Sequence, residues 1–208
     1  MEFLARVPVA VPVLVTALLI LGGCADGPEA PAIETQESTA PDDLTCPDQL
    51  PLGADPGGHG FGTDRPAASA PSLRAPDRAW VCRYLPLEAG PAAQGSGVTY
   101  RWQRDGAAQP VAADALDPLT MSLAGLRPAH DDLICTSDLG PRWLLVLRHR
   151  DDLTGVVVDD YGCRQVRLTG EPFDTAPGDA GPSDAPGVVG GVLDAPPELL
   201  AGIKAAWG

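Results

Sequence analysis

The segment Arg142–His149 reads RWLLVLRH and is apolar on both faces of an extended chain. Alternate residues from Trp143 to Leu147 point to one side, and Leu144 and Val146 point to the other. A strand of this kind is buried on both faces, so the pattern predicts a central strand of a sheet, covered by a helix on at least one side. The rest of the chain must therefore supply neighbouring strands and apolar cover.

Shorter segments on either side of this one predict the other strands. Trp80–Leu85 and Val98–Gln103 are separated by a stretch rich in Gly and Pro, which predicts a hairpin. The remaining predicted strands are Leu133–Cys135, Val156–Val158 and Cys163–Leu168, with a turn at Asp151–Gly155.

Two segments space their apolar residues as helices do. Val111–Leu126 carries leucines three or four residues apart and predicts a helix in the middle of the chain. A start at Asp117, with Pro118 in the first helical position, would shorten this helix to 118–126. Asp194–Pro197 predicts the start of a C-terminal helix that packs on the domain. The predicted class is α+β, with a small antiparallel sheet of about five strands, these two helices and disordered tails.

Acidic segments rich in Gly and Pro mark the tails. The chain has 208 residues, 24 Gly, 23 Pro and a formal net charge of −14. Most of this charge lies outside 80–168, as expected of solvated spacers, and it argues against nucleic acid as a partner. The predicted limits are an acidic disordered tether at 24–45, a disulfide-linked domain at 46–170 with a loop-rich stretch at 53–78, a flexible linker at 171–192, and the C-terminal helix at 193–208.

The apolar run Val7–Leu21 is 15 residues long and contains two prolines. It is shorter than the roughly 20 residues that a membrane-spanning helix needs, and it is typical of a secretory signal. The motif Leu21-Gly22-Gly23-Cys24 at its end resembles the lipobox of bacterial lipoproteins. The resemblance implies a signal peptide at 1–23 and a lipid with palmitate-like chains on Cys24, which anchors the protein to the outer face of the cytoplasmic membrane. An ordinary signal peptide with a chance cysteine is the alternative.

Four further cysteines follow Cys24. An even number in an exported chain predicts two disulfides, for which three pairings are possible. Proximity in sequence favours Cys46–Cys82 and Cys135–Cys163. Zinc ligand spacing such as CxxC is absent from the sequence, so no metal and no cofactor are predicted.

The order of these segments also resembles exported, Cys-paired domains of high-GC Gram-positive bacteria. The Cys82-Arg83-Tyr84 strand, the middle helix and the meander from Cys135 to Cys163 carry this resemblance. It implies an extracytoplasmic location and a fold, and it implies no activity, because those domains mostly lack an assigned one.

Motifs for catalysis are weak. Gly57–Gly62 lacks the Lys-Ser/Thr of a phosphate-binding loop, and Ser96 belongs to a predicted turn rather than a nucleophile elbow. His130 and His149 each lie near a pair of aspartates, which keeps an Asp/His hydrolase as an alternative, although a nucleophile is not evident. The four Asp pairs are interpreted as turn residues: Asp42-Asp43, Asp131-Asp132, Asp151-Asp152 and Asp159-Asp160.

Aromatic residues are few, at 5% of the chain, and are expected to build the core rather than a ligand groove. The sequence therefore favours a non-enzymatic envelope module that binds a protein, a glycan or a small molecule, with no catalytic residue assigned. An extracytoplasmic hydrolase and a purely structural envelope protein are the alternatives. The aromatic residues in question are Trp80, Tyr84, Tyr100, Trp102 and Trp143.

Overall fold

The computed structural model of the chain describes residues 45–92, 97–130, 135, 138–179 and 186–208. The predicted signal peptide, the predicted lipid site at Cys24, nearly all of the predicted tether and the first two residues of the predicted strand Leu133–Cys135 lie outside the described residues. Within the described ranges the elements are, in order, β1 (Arg78–Pro91), β2 (Val98–Pro110), α1 (Ala113–Ala124), β3 (Arg127–Pro128), β4 (Arg142–His149), β5 (Asp152–Asp159), β6 (Val166–Thr169), β7 (Leu193–Asp194) and α2 (Pro197–Trp207).

The strands form one sheet in the order β2-β1-β4-β5-β6-β7-β3, and every neighbouring pair is antiparallel. The predicted α+β class is confirmed. The described residues form seven strands rather than about five, because β3 and β7 are only two residues long and show no alternation in the sequence. Strand β4 has the predicted limits and lies between β1 and β5.

The turn between β4 and β5 differs from the prediction. His149 pairs with Asp152, so the loop is the two residues Arg150 and Asp151 rather than Asp151–Gly155. Arg150 adopts a φ of 58°. In such turns this conformation is usually found at Gly, Asn or Asp, so an arginine at this position did not indicate a two-residue turn. Gly155 lies inside β5, where a Cβ would come within 2.8 Å of Thr169 Cγ2.

The middle helix also differs in part. Helix α1 begins at Ala113, with Ala112 as N-cap, so the shorter helix starting at Asp117-Pro118 is wrong. Pro118 lies inside α1 and costs it one backbone hydrogen bond. Burial of Leu119 and Leu123 offsets that loss.

The two faces of the sheet have different cover. Both helices contribute leucines to the cluster on the first face, with Trp143, Leu145 and Leu147 of β4. On the second face Leu144 and Val146 pack with residues of the segment 45–63, including Cys46, Leu50 and Phe61. Both faces of β4 are therefore buried.

The segment predicted as a flexible linker, 171–192, is tied into the domain where it is described. Gly178 N donates to Leu168 O at 2.8 Å, and Gly191 N donates to Gly178 O at 2.8 Å. Val192 N donates to Arg65 O at 2.9 Å and Val192 O accepts from Ala67 N at 2.9 Å. Gly and Pro side chains bury little apolar surface. The backbone of this segment is nevertheless held by hydrogen bonds to β6 and to Arg65 and Ala67.

Neither helix of the described residues has the length and apolar character needed to cross a bilayer.

Candidate functional site

Three charged side chains converge at one end of the second face. Arg142 is the first residue of β4, and Asp159, the last of β5, lies directly opposite it. Arg142 Nε donates to Asp159 Oδ1 at 2.6 Å, and Arg167 Nη1 of β6 donates to Asp159 Oδ2 at 2.8 Å. We call Arg142, Asp159 and Arg167 the arginine cluster.

The arginine cluster is almost completely removed from solvent. The side chains of Arg142, Asp159 and Arg167 are 6%, 5% and 4% exposed. Arg142 Nη2 also donates to Phe61 O at 2.6 Å, and Arg167 Nε donates to Thr63 O at 2.9 Å. These carbonyls satisfy donors but carry no full charge. Among the described residues, two guanidinium groups therefore share one carboxylate, which leaves one positive charge in excess in this part of the chain.

Aromatic rings enclose Arg142. Its Cζ lies 3.7 Å from the centroid of the Trp102 ring and 5.8 Å from that of Tyr161. The Trp102 and Tyr161 rings are stacked with centroids 6.1 Å apart. A guanidinium over an aromatic face gains cation–π attraction, which is larger where water is excluded.

The Tyr161 hydroxyl is buried and has no hydrogen-bond partner in the described part of the chain. Burial raises the pKa of Tyr161 well above its ordinary value, and the nearby carboxylate of Asp159 raises it further, while the charges of Arg142 and Arg167 oppose the rise without cancelling it. The phenol is therefore neutral and keeps its proton as a donor.

A cavity of about 480 Å³ opens beside the cluster. We call it the arginine cavity. Its volume falls within the range of small-molecule sites. Besides Asp159 and Arg167, its lining includes Phe61, His130, Tyr161 and the disulfide Cys135–Cys163.

The four cysteines form the disulfides Cys46–Cys82 and Cys135–Cys163, the pairing that sequence proximity favours. Cys46 and Cys82 are buried under the second face. Cys135 is exposed and Cys163 is half-buried at the cavity wall. The first disulfide therefore fastens the covering segment to β1, and the second lies at the candidate site.

The histidines are placed in different clefts. His130 is exposed at the arginine cavity. His149 lines a second cleft of about 610 Å³ together with Asp151 and Asp152. The side chain of His149 makes one hydrogen bond in the described structure, between Nδ1 and Ala75 O at 3.2 Å. Thr154 is buried in a small adjoining cavity that His149 and Asp152 also line.

The other predicted candidates are dispersed. Trp80, Tyr84 and Trp102 are buried in the second-face cluster, and Tyr100 packs against it. Trp143 lies on the first face, with its ring centroid 5.8 Å from that of Trp207. The five aromatic residues therefore build core rather than one groove.

The aspartate pairs also separate. Asp159 belongs to the arginine cluster rather than to a turn, while Asp160 accepts from Trp143 Nε1 at 3.2 Å and from Lys204 Nζ at 2.8 Å. Asp42-Asp43 and Asp131-Asp132 lie outside the described residues.

Arg142, Arg167 and Tyr161 were not predicted from the sequence as site residues. The available signal was an arginine at the start of the apolar run of β4 and another between Val166 and Leu168 in β6, because a buried charge needs a partner.

Among the described residues, no group of three or more His, Cys, Asp or Glu side chains is placed to hold a metal ion. Comparisons with protein-family models, with curated proteins and with solved structures find no match to this chain.

Proposed function

We propose that this chain is an extracytoplasmic lipoprotein, anchored through Cys24, whose disulfide-linked domain binds a small molecule in the arginine cavity. The observation that carries the binding role is the convergence of a buried, charge-unbalanced arginine cluster on a cavity of about 480 Å³. The lipobox-like motif supports the anchor and the location at the outer face of the cytoplasmic membrane. No catalytic step is part of the proposal.

The arrangement of the cavity supports binding rather than a purely structural role. Burying ions is costly, and apolar side chains would cover the end of the sheet at lower cost. If the arginine cluster only stabilised the fold, an open cavity beside it would not be required. Phe61 and Tyr161 provide apolar walls, and Arg167 and His130 provide polar groups, as in many ligand sites.

The anchor is tested by membrane fractionation of the full chain and its Cys24→Ser variant. We expect the wild-type chain in the membrane fraction and the variant either released or left unprocessed. Membrane retention of a fully processed Cys24→Ser chain contradicts the anchor, and leaves the ordinary signal peptide as the explanation of the N-terminus.

The binding role is tested by screening small polar fragments against the wild-type domain and two tryptophan variants. His130→Trp places a large side chain at the cavity wall, where the residue is exposed. Met121→Trp is the matched control, because Met121 is 71% exposed on α1 and does not line the cavity. Fragments that bind the wild type and Met121→Trp but not His130→Trp support the proposal. A screen without such fragments favours the purely structural alternative.

The hydrolase alternative has one observation in its favour, the cleft that holds His149 with Asp151 and Asp152. Against it, Nδ1 of His149 contacts a backbone carbonyl, and Asp152 lies 4.0 Å from Arg74 with both side chains exposed. Ester and amide hydrolysis by the wild type that His149→Gln abolishes, while the fold is retained, would establish this alternative.

A further inference from the structure

The charge balance of the arginine cluster indicates what the cavity binds. Arg142 and Arg167 carry two positive charges below 7% exposure, and Asp159 carries one negative charge. An unbalanced charge in a poorly solvated site is unfavourable, and an anion placed beside it is strongly attracted. Arg167 lines the cavity, so a bound anion can reach the cluster there.

Arg167 has donors left for such a ligand. Nε is used by Thr63 O, Nη1 by Asp159 and Nη2 by Gln165 Oε1 at 2.9 Å. Nη1 and Nη2 each carry a second hydrogen. A planar guanidinium with two outer N–H groups matches a carboxylate, and charge-assisted bonds of this kind are roughly twice as strong as neutral ones.

The other charges at the cavity limit the charge of the ligand. Asp64 and Asp138 also line it, but both are exposed, and neither forms an ion pair with Arg142 or Arg167 in the described structure. Their carboxylates disfavour a ligand with more than one negative charge. The Phe61 and Tyr161 rings offer an apolar surface to the remainder of the ligand.

We propose that the arginine cavity binds a small organic monoanion, with its carboxylate on Arg167 and its apolar part against Phe61 and Tyr161. This inference rests on the proposed binding function and specifies its ligand class.

The experiment uses benzoate, its neutral isostere benzamide, and phenylphosphonate, which carries more negative charge. Binding is followed on the wild-type domain by the NMR resonance of the Arg167 Nε–H group, so that no substitution is needed for the primary result. We expect benzoate to shift this resonance and to bind at least about tenfold more tightly than benzamide, as a charge-assisted bond predicts. Arg167→Gln is expected to bring the affinity for benzoate down to that for benzamide.

Three results overturn the inference. Equal affinities for benzoate and benzamide, both lost in His130→Trp, contradict an anionic ligand but leave the proposed binding function in place. Tighter binding of phenylphosphonate than of benzoate contradicts the restriction to a monoanion. An Arg167 Nε–H resonance that none of the three probes shifts contradicts the assignment of the anion site to Arg167. The fragment screen with His130→Trp then tests the proposed binding function separately.

Discussion

Arg142 and Asp159 occupy the two ends of the β4–β5 hairpin, directly opposite each other, and their side chains hydrogen bond at 2.6 Å under the second face of the sheet. Arg167 completes the arrangement from β6. The pair contributes both to the fold, because it closes one end of the core, and to the candidate site, because the cavity adjoins it.

Removing the shared carboxylate is expected to be severe. Asp159→Asn leaves two buried guanidinium groups without a counter-charge, so we expect a loss of about 3–5 kcal/mol in the free energy of unfolding. Denaturant unfolding measures this loss. Asp152→Asn is the matched control at the other end of β5, where the side chain is 61% exposed and the change is expected to be close to zero. Similar losses in both variants would contradict the role given to Asp159.

Removing one of the two arginines is expected to cost less. Arg167→Met leaves Arg142 and Asp159 as a balanced pair, so the main losses are the hydrogen bonds to Thr63 O and to Asp159 Oδ2, and we expect a cost of about 1–3 kcal/mol. The same unfolding measurement places this variant between the wild type and Asp159→Asn. A larger loss for Arg167→Met than for Asp159→Asn would show that the cluster does not carry an excess positive charge.

Two buried tyrosines provide a matched pair. Tyr84 Oη donates to Pro47 O at 2.8 Å, whereas the Tyr161 hydroxyl has no partner in the described structure. We expect Tyr84→Phe to lower the free energy of unfolding by about 0.5–1.5 kcal/mol and Tyr161→Phe to leave it unchanged or raise it. If Tyr161→Phe is the more destabilising of the two, its hydroxyl has a partner that this account does not include.

The same tyrosines predict how stability depends on pH. Burial raises the pKa of both Tyr84 and Tyr161 above the ordinary value of about 10. The folded state therefore holds these protons more tightly than the unfolded state, and the resulting stability is complete below about pH 10 and is lost as the pH rises above it. Denaturant midpoints between neutral and alkaline pH measure the decline. The double variant Tyr84→Phe, Tyr161→Phe is expected to flatten it, and an unchanged slope would contradict the assignment.

The two disulfides are expected to differ in their response to reductant. Cys135 is exposed, whereas Cys46 and Cys82 are buried, and thiol attack requires access to a sulfur. Brief treatment with a thiol followed by alkylation and peptide mapping should label Cys135 and Cys163 first. Labelling of Cys46 and Cys82 at the same rate in the folded protein would show that the segment 45–63 opens readily from the second face.

Local patterns were enough to predict several elements. Alternation in Arg142–His149 predicted the limits of β4, and the turn residues between Trp80–Leu85 and Val98–Gln103 indicated the β1–β2 hairpin. The segment Asp194–Pro197 was predicted to begin the C-terminal helix, and α2 begins at Pro197. Each of these depends on residues close together in the sequence.

The arginine cluster depends on register instead. A two-residue turn at Arg150-Asp151 requires Arg142 to lie opposite Asp159. The turn predicted at Asp151–Gly155 implies a different register, in which these two residues are not paired. The contact of Arg167 with Thr63 joins residues 104 apart, for which the sequence carries no local signal. The backbone of the described part of 171–192 is also held by long-range hydrogen bonds, because Val192 pairs with Arg65 and Ala67. No local pattern in the sequence predicts these contacts.

The lipid that we propose on Cys24 determines the proposed location of the protein. It is tested by the intact mass of the full chain purified from the bacterium that produces it. We expect a chain that begins at Cys24, carries a lipid-sized excess of mass, and gains four alkyl groups only after reduction. A chain without added mass, or one that begins at another residue, would contradict the anchor.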